Sequence, residues 1–426
     1  MAFFGDLIGP VGYYIGAIFR FWWIWLAPSL VTLFVFTWLA WKRAIYKNSI
    51  EWTLLELRFP REIEKSPKAM EQFLAAIHGV RNEPSDFMDK YLNGEVTLWF
   101  SLEIISLEGE IHFYIRTPTK LRKIVEGNFY AHYPMVDLQE VSDYMDKFPP
   151  NVHSLYGQEQ DIWGAEVQLV KDEAYPLRTY LQYENIEEAM AVDPIAGMLE
   201  VFSRVEKGEN LCLQFLIRPA TSAWRDKGET LVKKLKTEGQ KTIVGPIGEY
   251  TDRPIRTPGE TQLLKAIEDN VSKSGFETLI RYIYIADVNS MNKDFARRSI
   301  LSAFNQYSVQ DMNSFRRNPH PTTDVKWVYF PWVFVSRRLE ARKHRIFYNY
   351  RHRKMPEESD LSKILTAHVL NLNFSQRVFV LNTEMLATLF HPPTNIVLTG
   401  PIIDRMTAKR MGPPQGLPIY QKDKKV

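Results

Sequence analysis

Alternation of apolar and polar positions marks the strands of this chain, and a change to helical spacing marks what joins them. Glu51–Phe59 reads as a strand. Ser66-Pro67 then supplies a cap and a first-turn proline, and Met70, Phe73, Leu74 and Ile77 follow on one helical face. Leu98, Phe100, Leu102 and Ile104 alternate with Trp99, Ser101 and Glu103, the period of a half-buried strand. Leu107-Glu108-Gly109-Glu110 is a hairpin turn into Ile111, Phe113 and Ile115. Thr117-Pro118 opens a helix carrying Leu121, Ile124 and Val125, and a short strand at Met135–Val141 completes a β-α-β-β-α-β order, the ferredoxin-like arrangement.

The same pattern recurs downstream. Trp163–Val170 reads as a strand, and Asp193-Pro194 starts a helix with Ile195, Met198, Leu199 and Phe202 on one face. Leu211, Leu213, Phe215 and Ile217 form a strand, Phe276–Ala286 another, and Asn292–Tyr307 a helix that turns Ala296, Ile300, Ala303 and Phe304 inward. The expected class is therefore α+β, with two ferredoxin-like modules at 49–150 and 151–336. The second carries an insertion at about 219–275: a helix Trp224–Lys236, a Gly/Pro-rich linker and a helix Glu260–Ser272. An insertion of this size is either a partner-binding arm or a passive one. A basic and aromatic segment (337–378) and a C-terminal helix with a proline-rich tail (379–426) follow.

Before the first strand, Phe21–Trp41 carries no charge. Its 21 residues would span about 31 Å as a helix, enough for a bilayer core. Trp22, Trp23, Trp25, Trp38 and Trp41 bracket it, Pro28 would kink it, and Lys42, Arg43 and Lys47 follow at once. This predicts a membrane anchor over residues 1–48 with a single transmembrane helix at about 21–41, in the cytoplasmic (inner) membrane, with the C-terminal body in the cytoplasm. Residues 3–19 are apolar but interrupted by Asp6 and Pro10, and read as an interfacial or re-entrant helix.

Composition adds little to that picture. With 45% hydrophobic and 24% charged residues a packed core is expected, and a net charge of +3 does not by itself argue for nucleic acid. One cysteine, Cys212, excludes an internal disulfide and sits in an apolar strand pattern, the setting of a structural thiol. Catalytic motifs are missing. Gly239-Gln240-Lys241-Thr242 lacks the first glycine of a phosphate-binding loop, and Gly245-Pro246-Ile247-Gly248 has proline where such a loop needs a donor. No nucleophile elbow, metalloprotease signature or paired-cysteine site occurs, and the nine histidines, His112 and His132 among them, lack metal-ligand spacing. No catalytic residue, cofactor or metal ligand is therefore assigned; an enzyme whose site assembles from distant residues is the weakest reading.

Residues 337–354, RRLEARKHRIFYNYRHRK, combine Arg337, Arg338, Arg342, Lys343, Arg345, Arg351, Arg353 and Lys354 with Phe347, Tyr348 and Tyr350. Basic groups interleaved with aromatics bind phosphate backbones and stack on bases. The stretch reads equally as a contact for DNA, for anionic lipid or for an acidic partner, or as a solvated helix face whose aromatics are core.

Four segments carry a family resemblance: Pro60–His78 (PREIEKSPKAMEQFLAAIH), Glu103–Pro134 (EIISLEGEIHFYIRTPTKLRKIVEGNFYAHYP), Phe379–Pro392 (FVLNTEMLATLFHP) and Arg405–Pro418 (RMTAKRMGPPQGLP). Together they resemble an uncharacterised membrane-protein family of candidate-phyla bacteria, similar to the N-terminal, non-motor regions of HerA/TraG-type coupling ATPases of type IV secretion. In motor-bearing relatives an ATPase domain follows the proline-rich segment, and this sequence ends at Val426. The resemblance implies a non-enzymatic scaffold that seats a separate P-loop ATPase in trans in a secretion- or conjugation-like machine, with membrane lipid and further copies of itself as other partners. The alternative is a membrane-tethered nucleic-acid-binding protein that uses residues 337–354.

Overall fold

The computed structural model describes residues 22–60, 65–80, 86, 88–184, 192–237, 241–245, 248–252, 257–326, 328, 332–356, 376–394 and 405–406. The expected helix at 3–19 and the proline-rich tail beyond 406 lie outside these.

The first half follows the order read from the alternation. It comprises β1 (Trp52–Pro60), α2 (Lys68–His78), β2 (Phe100–Leu107), β3 (Glu110–Pro118), α3 (Arg122–His132) and β4 (Asp137–Val141), preceded by helix α1 (Trp22–Ser49). The second half holds β5 (Gln160–Leu169), helix α6 (Ala196–Ser203), β6 (Glu209–Pro219), β9 (Gly275–Asp287), helix α9 (Lys293–Asn305) and β10 (Phe315–Asn318). Short helices α4 (Val152–Tyr156) and α5 (Tyr180–Glu184) flank β5. Between β6 and β9 lie α7 (Ala223–Thr237), the hairpin β7–β8 (Lys241–Gly245, Gly248–Asp252) and α8 (Pro258–Ser272), the last opened by a Thr257–Glu260 capping box. Helix α10 (Val335–Arg351), strand β11 (Phe379–Asn382), helix α11 (Thr383–Leu389) and the two-residue β12 (Arg405–Met406) follow.

Two expectations are corrected here. The body is not a pair of separate ferredoxin-like modules, because β2 and β6 pair antiparallel over their lengths, from Phe100↔Ile217 to Leu107↔Asn210. One ten-stranded sheet results, in the order β10-β5-β9-β6-β2-β3-β1-β12, with β4 on β1 and β11 on β9. Each half walks the same strand path, and the pairing closes two edges that would otherwise leave backbone N–H and C=O groups unmatched. The single-pass anchor in the inner membrane is also not supported: among the described residues no helix is long and apolar enough to cross a membrane. In α1 the aliphatic residues are diluted by tryptophans, Pro28, Ser29, Thr32 and Thr37, and the C-terminal turns carry Lys42, Arg43 and Lys47. The Thr32 and Thr37 hydroxyls bond back to the helix carbonyls of Pro28 and Leu33.

One sheet face carries the main core. Helices α2, α3, α6, α9 and α11 lie on it, through residues such as Phe73, Phe129, Phe202 and Phe304, each fully buried. Phe390, just after α11, touches Phe113 of the first half and Phe215 of the second, so it lies over the β2–β6 seam. The opposite face is covered by α10 and α4 together with the turn Tyr144–Lys147. Gly164 permits the close approach of α10, since a methyl group there would sit 2.9 Å from Ile346 Cδ1.

Candidate functional site

Strand register builds the most distinctive feature. Paired residues share a face of a sheet, and one line of partners crosses every long strand: Gln139↔Glu56, Glu56↔Tyr114, Tyr114↔Glu103, Glu103↔Gln214, Gln214↔Arg281, Arg281↔Glu166 and Glu166↔Asn318. This polar belt runs across the face opposite the main core. Glu103, Gln214, Arg281 and Glu166 are fully buried in it.

Its members are joined by hydrogen bonds across the seam. Gln214 Nε2 donates to Glu103 Oε1 (3.0 Å), and Arg281 Nη1 donates to Gln214 Oε1 (3.3 Å). Arg281 Nε donates to Glu166 Oε1 (3.1 Å), which also accepts from Gln376 Nε2 (2.6 Å). Tyr144 Oη donates to Glu103 Oε2 (2.7 Å) and lies 2.9 Å from Tyr350 Oη. Arg353 Nε and Nη2 donate to both oxygens of Glu103 (3.0 and 3.2 Å), while its two Nη atoms also reach the carboxylate of Asp143. Burial pushes the Glu103 carboxyl up, but the Arg353 charge and the hydrogen bonds from Arg353, Ser101 and Tyr144 outweigh it and hold the group below its ordinary range. At the other end burial dominates: it raises Glu166 and lowers Arg281 despite their pairing.

The basic stretch is largely spent on these internal contacts. Helix α10 turns Ile346, Phe347 and Tyr350 into the core, and Arg338, Arg342, Lys343 and Arg353 are buried with them. Arg342 Nη1 donates to the carbonyls of Pro319 (3.1 Å) and Thr322 (2.9 Å); burial, then the neighbouring Arg338 charge, lower its pKa to about 10. Lys343 pairs with Asp161 (2.5 Å). Arg351 Nη1 donates to the carbonyls of Met145, Phe148 and Pro149, and Arg345 is half-buried near Glu166. Arg337 and Lys354 are exposed, lying over the rings of Phe334 and Tyr348. Arg353 itself sits at φ +46° just past the helix, where its N–H bonds to the carbonyl of Tyr350 (3.0 Å) and the Lys354 N–H to that of Asn349 (2.9 Å). A non-glycine residue in that left-handed region costs about 1–2 kcal/mol, a strain consistent with the guanidinium's reach to Glu103. The alternation places Glu103 among the polar positions of its strand and does not reveal that this face is buried as well. The available signal was a polar residue set into each apolar run (Glu56 in LLELRF, Glu103 in LEIIS, Gln214 in CLQFLI, Arg281 in LIRYIYI, Glu166 in GAEVQL), but which of them align depends on strand order.

At its first-half end the belt opens into a cleft of about 490 Å³, lined by residues including Glu56, Arg58, His112, Tyr114, Ser142 and Lys147. Glu56 accepts from His112 Nδ1 (2.8 Å) and from Arg58 Nε and Nη2 (3.3 and 3.2 Å). The His112 hydrogen bond, opposed by burial and aided by the charges of His112 and Arg58, holds the Glu56 carboxyl below its ordinary range. The rings of His112, Tyr114 and Tyr144 stack along the wall. No group of three or more metal-ligating side chains occurs among the described residues.

Of the other residues marked in the sequence, Trp38 and Trp41 are exposed on α1, and Lys42 lies over both rings. The helix backbone includes Trp22, Trp23 and Trp25, whose side chains lie outside the described set. Arg43 meets the body where Gly94, at φ +69°, fits against the Lys42–Arg43 backbone. Cys212 is buried beside the belt, and burial pushes its thiol far above the ordinary range, the condition of an inert structural cysteine.

The fold and belt define an α+β protein built on one continuous, mainly antiparallel sheet with an internal polar network. The chain belongs to a domain family of unknown function, DUF8128, whose model matches residues 42–349, from the last turns of α1 to within α10. A comparison with curated proteins finds no match.

Proposed function

We propose that this protein is a non-catalytic assembly module that docks a separate P-loop ATPase through α1. The observation that carries this reading is the exposure of α1. Ile24, Leu30, Val31, Phe34, Trp38 and Trp41 all face solvent, whereas the apolar residues of the sheet are buried. An apolar surface of this extent, left uncovered by the rest of the described chain, favours a contact with another molecule. Burying half a dozen such side chains would contribute on the order of 10 kcal/mol before the costs of association. The class of partner rests on the resemblance to the non-motor regions of coupling ATPases.

The test is affinity purification of the full-length chain from its native cells in mild detergent, with ATP binding and hydrolysis measured on the isolated protein. The reading expects a P-loop ATPase to co-purify and the isolated chain neither to bind nor to hydrolyse ATP. Replacing Leu30, Val31 and Phe34 together by serine should lose the partner while leaving the circular dichroism spectrum unchanged. ATP turnover by the isolated chain would overturn the proposal. So would full retention of the ATPase by the triple variant, or flotation with lipid vesicles in the absence of any protein partner.

A further inference from the structure

The two halves of the sheet place equivalent groups in unequal surroundings. Glu56 on β1 pairs with Tyr114 on β3, just as Glu166 on β5 pairs with Arg281 on β9. In the second half α10 lies over that position and Glu166 is fully buried. In the first half no described α-helix lies over Glu56; the short turn Tyr144–Lys147 walls the space beside it, and that space is the 490 Å³ cleft, within the range of small-ligand sites.

We propose that this cleft binds a phosphate group. The acids on its walls are already matched: Glu56 by His112 and Arg58, Asp143 by Arg353, and Asp146 by Arg351. What remains unspent is donor capacity. Lys147 is exposed and has no acidic partner among the described residues, Arg58 keeps Nη1 outside its pairing with Glu56, and the Ser142 hydroxyl is exposed at the same rim. The number of separate donors favours one anion over another. The planar fork of an arginine matches carboxylate and phosphate alike, and the Nε–Nη2 edge of Arg58 is occupied by Glu56. An ammonium, a single guanidinium nitrogen and a hydroxyl are point donors, which suit the three oxygens of a tetrahedral phosphate. The assignment is independent of the α1 docking reading.

The experiment follows the ring resonances of His112, on the cleft wall, in the full-length chain with ¹⁵N-labelled histidine, assigned by loss of the signal in His112→Asn. The probes are inorganic phosphate, a sugar phosphate, a phosphoserine peptide and, at matched ionic strength, acetate. The expected result is a saturable shift with phosphate, with a midpoint on the order of 1 mM, weakened five- to tenfold in Lys147→Gln. Tighter binding of the sugar phosphate identifies a metabolite as the source, and tighter binding of the peptide a phosphorylated side chain. No saturable shift with any phosphate probe, an undiminished response in Lys147→Gln, or acetate acting as well as phosphate overturns the assignment.

Discussion

Replacing Arg353 by methionine should destabilise this protein by about 4 kcal/mol, within the 3–5 kcal/mol cost of breaking a buried ion pair by removing one partner. The guanidinium is fully buried and donates to both oxygens of Glu103, to Asp143 and to the carbonyl of Arg351. Glu103 would keep its contacts to Ser101, Tyr144 and Gln214, but it would lose the guanidinium that hydrogen-bonds both its oxygens, leaving the nearby Arg116 charge without such contact in a site with no solvent access. Methionine preserves the volume and the cost of the left-handed backbone at φ +46°, so the difference reports the charge. Urea unfolding followed by tryptophan fluorescence should show a lower midpoint with an unchanged slope. Adding Glu103→Gln should restore part of the loss, the double variant falling short of additivity by about 1.5 kcal/mol or more. The pH dependence fixes the sign. Glu103 and Asp143 are both held below their ordinary range, so their contribution is present above the unfolded carboxylate values and is lost as pH falls through the folded ones. The gap between wild type and variant should therefore narrow below about pH 4. A loss under about 1 kcal/mol at neutral pH, or strict additivity, would refute the belt as an ionised buried network.

Three further perturbations probe other parts of the argument. His391, buried after α11, lies 2.7 Å from the carbonyl of Ala387 through Nδ1 and 2.8 Å from Asp193 through Nε2. The other neighbours of that carboxylate, the N–H groups of Ile195 and Thr394 and the Thr394 hydroxyl, are donors, and burial is outweighed so that Asp193 falls to about 2. His391→Leu, which takes the ring partner away from the buried Asp193 carboxylate, should cost about 3 kcal/mol in urea unfolding; a loss under about 1 kcal/mol would contradict this. Gly164→Ala should cost about 1–2 kcal/mol by crowding Ile346 and Ile283, with part of the loss recovered in the double variant with Ile346→Val. Gly94→Ala should unseat the end of α1, because the added methyl would lie 2.6 Å from the Lys42 carbonyl carbon and the residue holds φ +69°; faster tryptic cleavage after Lys42 or Arg43, with the unfolding of the sheet unchanged, is the expected readout.

The individual elements were legible because each follows from local spacing. Met70, Phe73, Leu74 and Ile77 lie on the buried side of α2, and Phe100, Leu102 and Ile104 on the helix-covered side of β2. What spacing cannot express is which edges meet. The pairing of β2 with β6 links residues about a hundred positions apart, and nothing in either strand names the other. The cleft was illegible for the same reason, since His112 reaches Glu56 only across the β1–β3 pairing. The basic run was misleading in a specific way: the side chains that look suited to an outside partner, Arg342, Lys343 and Arg353 among them, are spent on carbonyls and carboxylates of this chain. The apolar run in α1 was visible, but its exposure is a matter of what the rest of the chain leaves uncovered.

The seam also limits how the molecule can be taken apart. A fragment ending before β5, or one beginning there, would present β2 or β6 as a bare, mostly apolar ribbon with a full row of unclaimed amide and carbonyl groups. Such a fragment would recruit whatever strand it met first, another copy of itself included, so attempts to produce either half alone should give aggregates or exchanged dimers instead of tidy monomers.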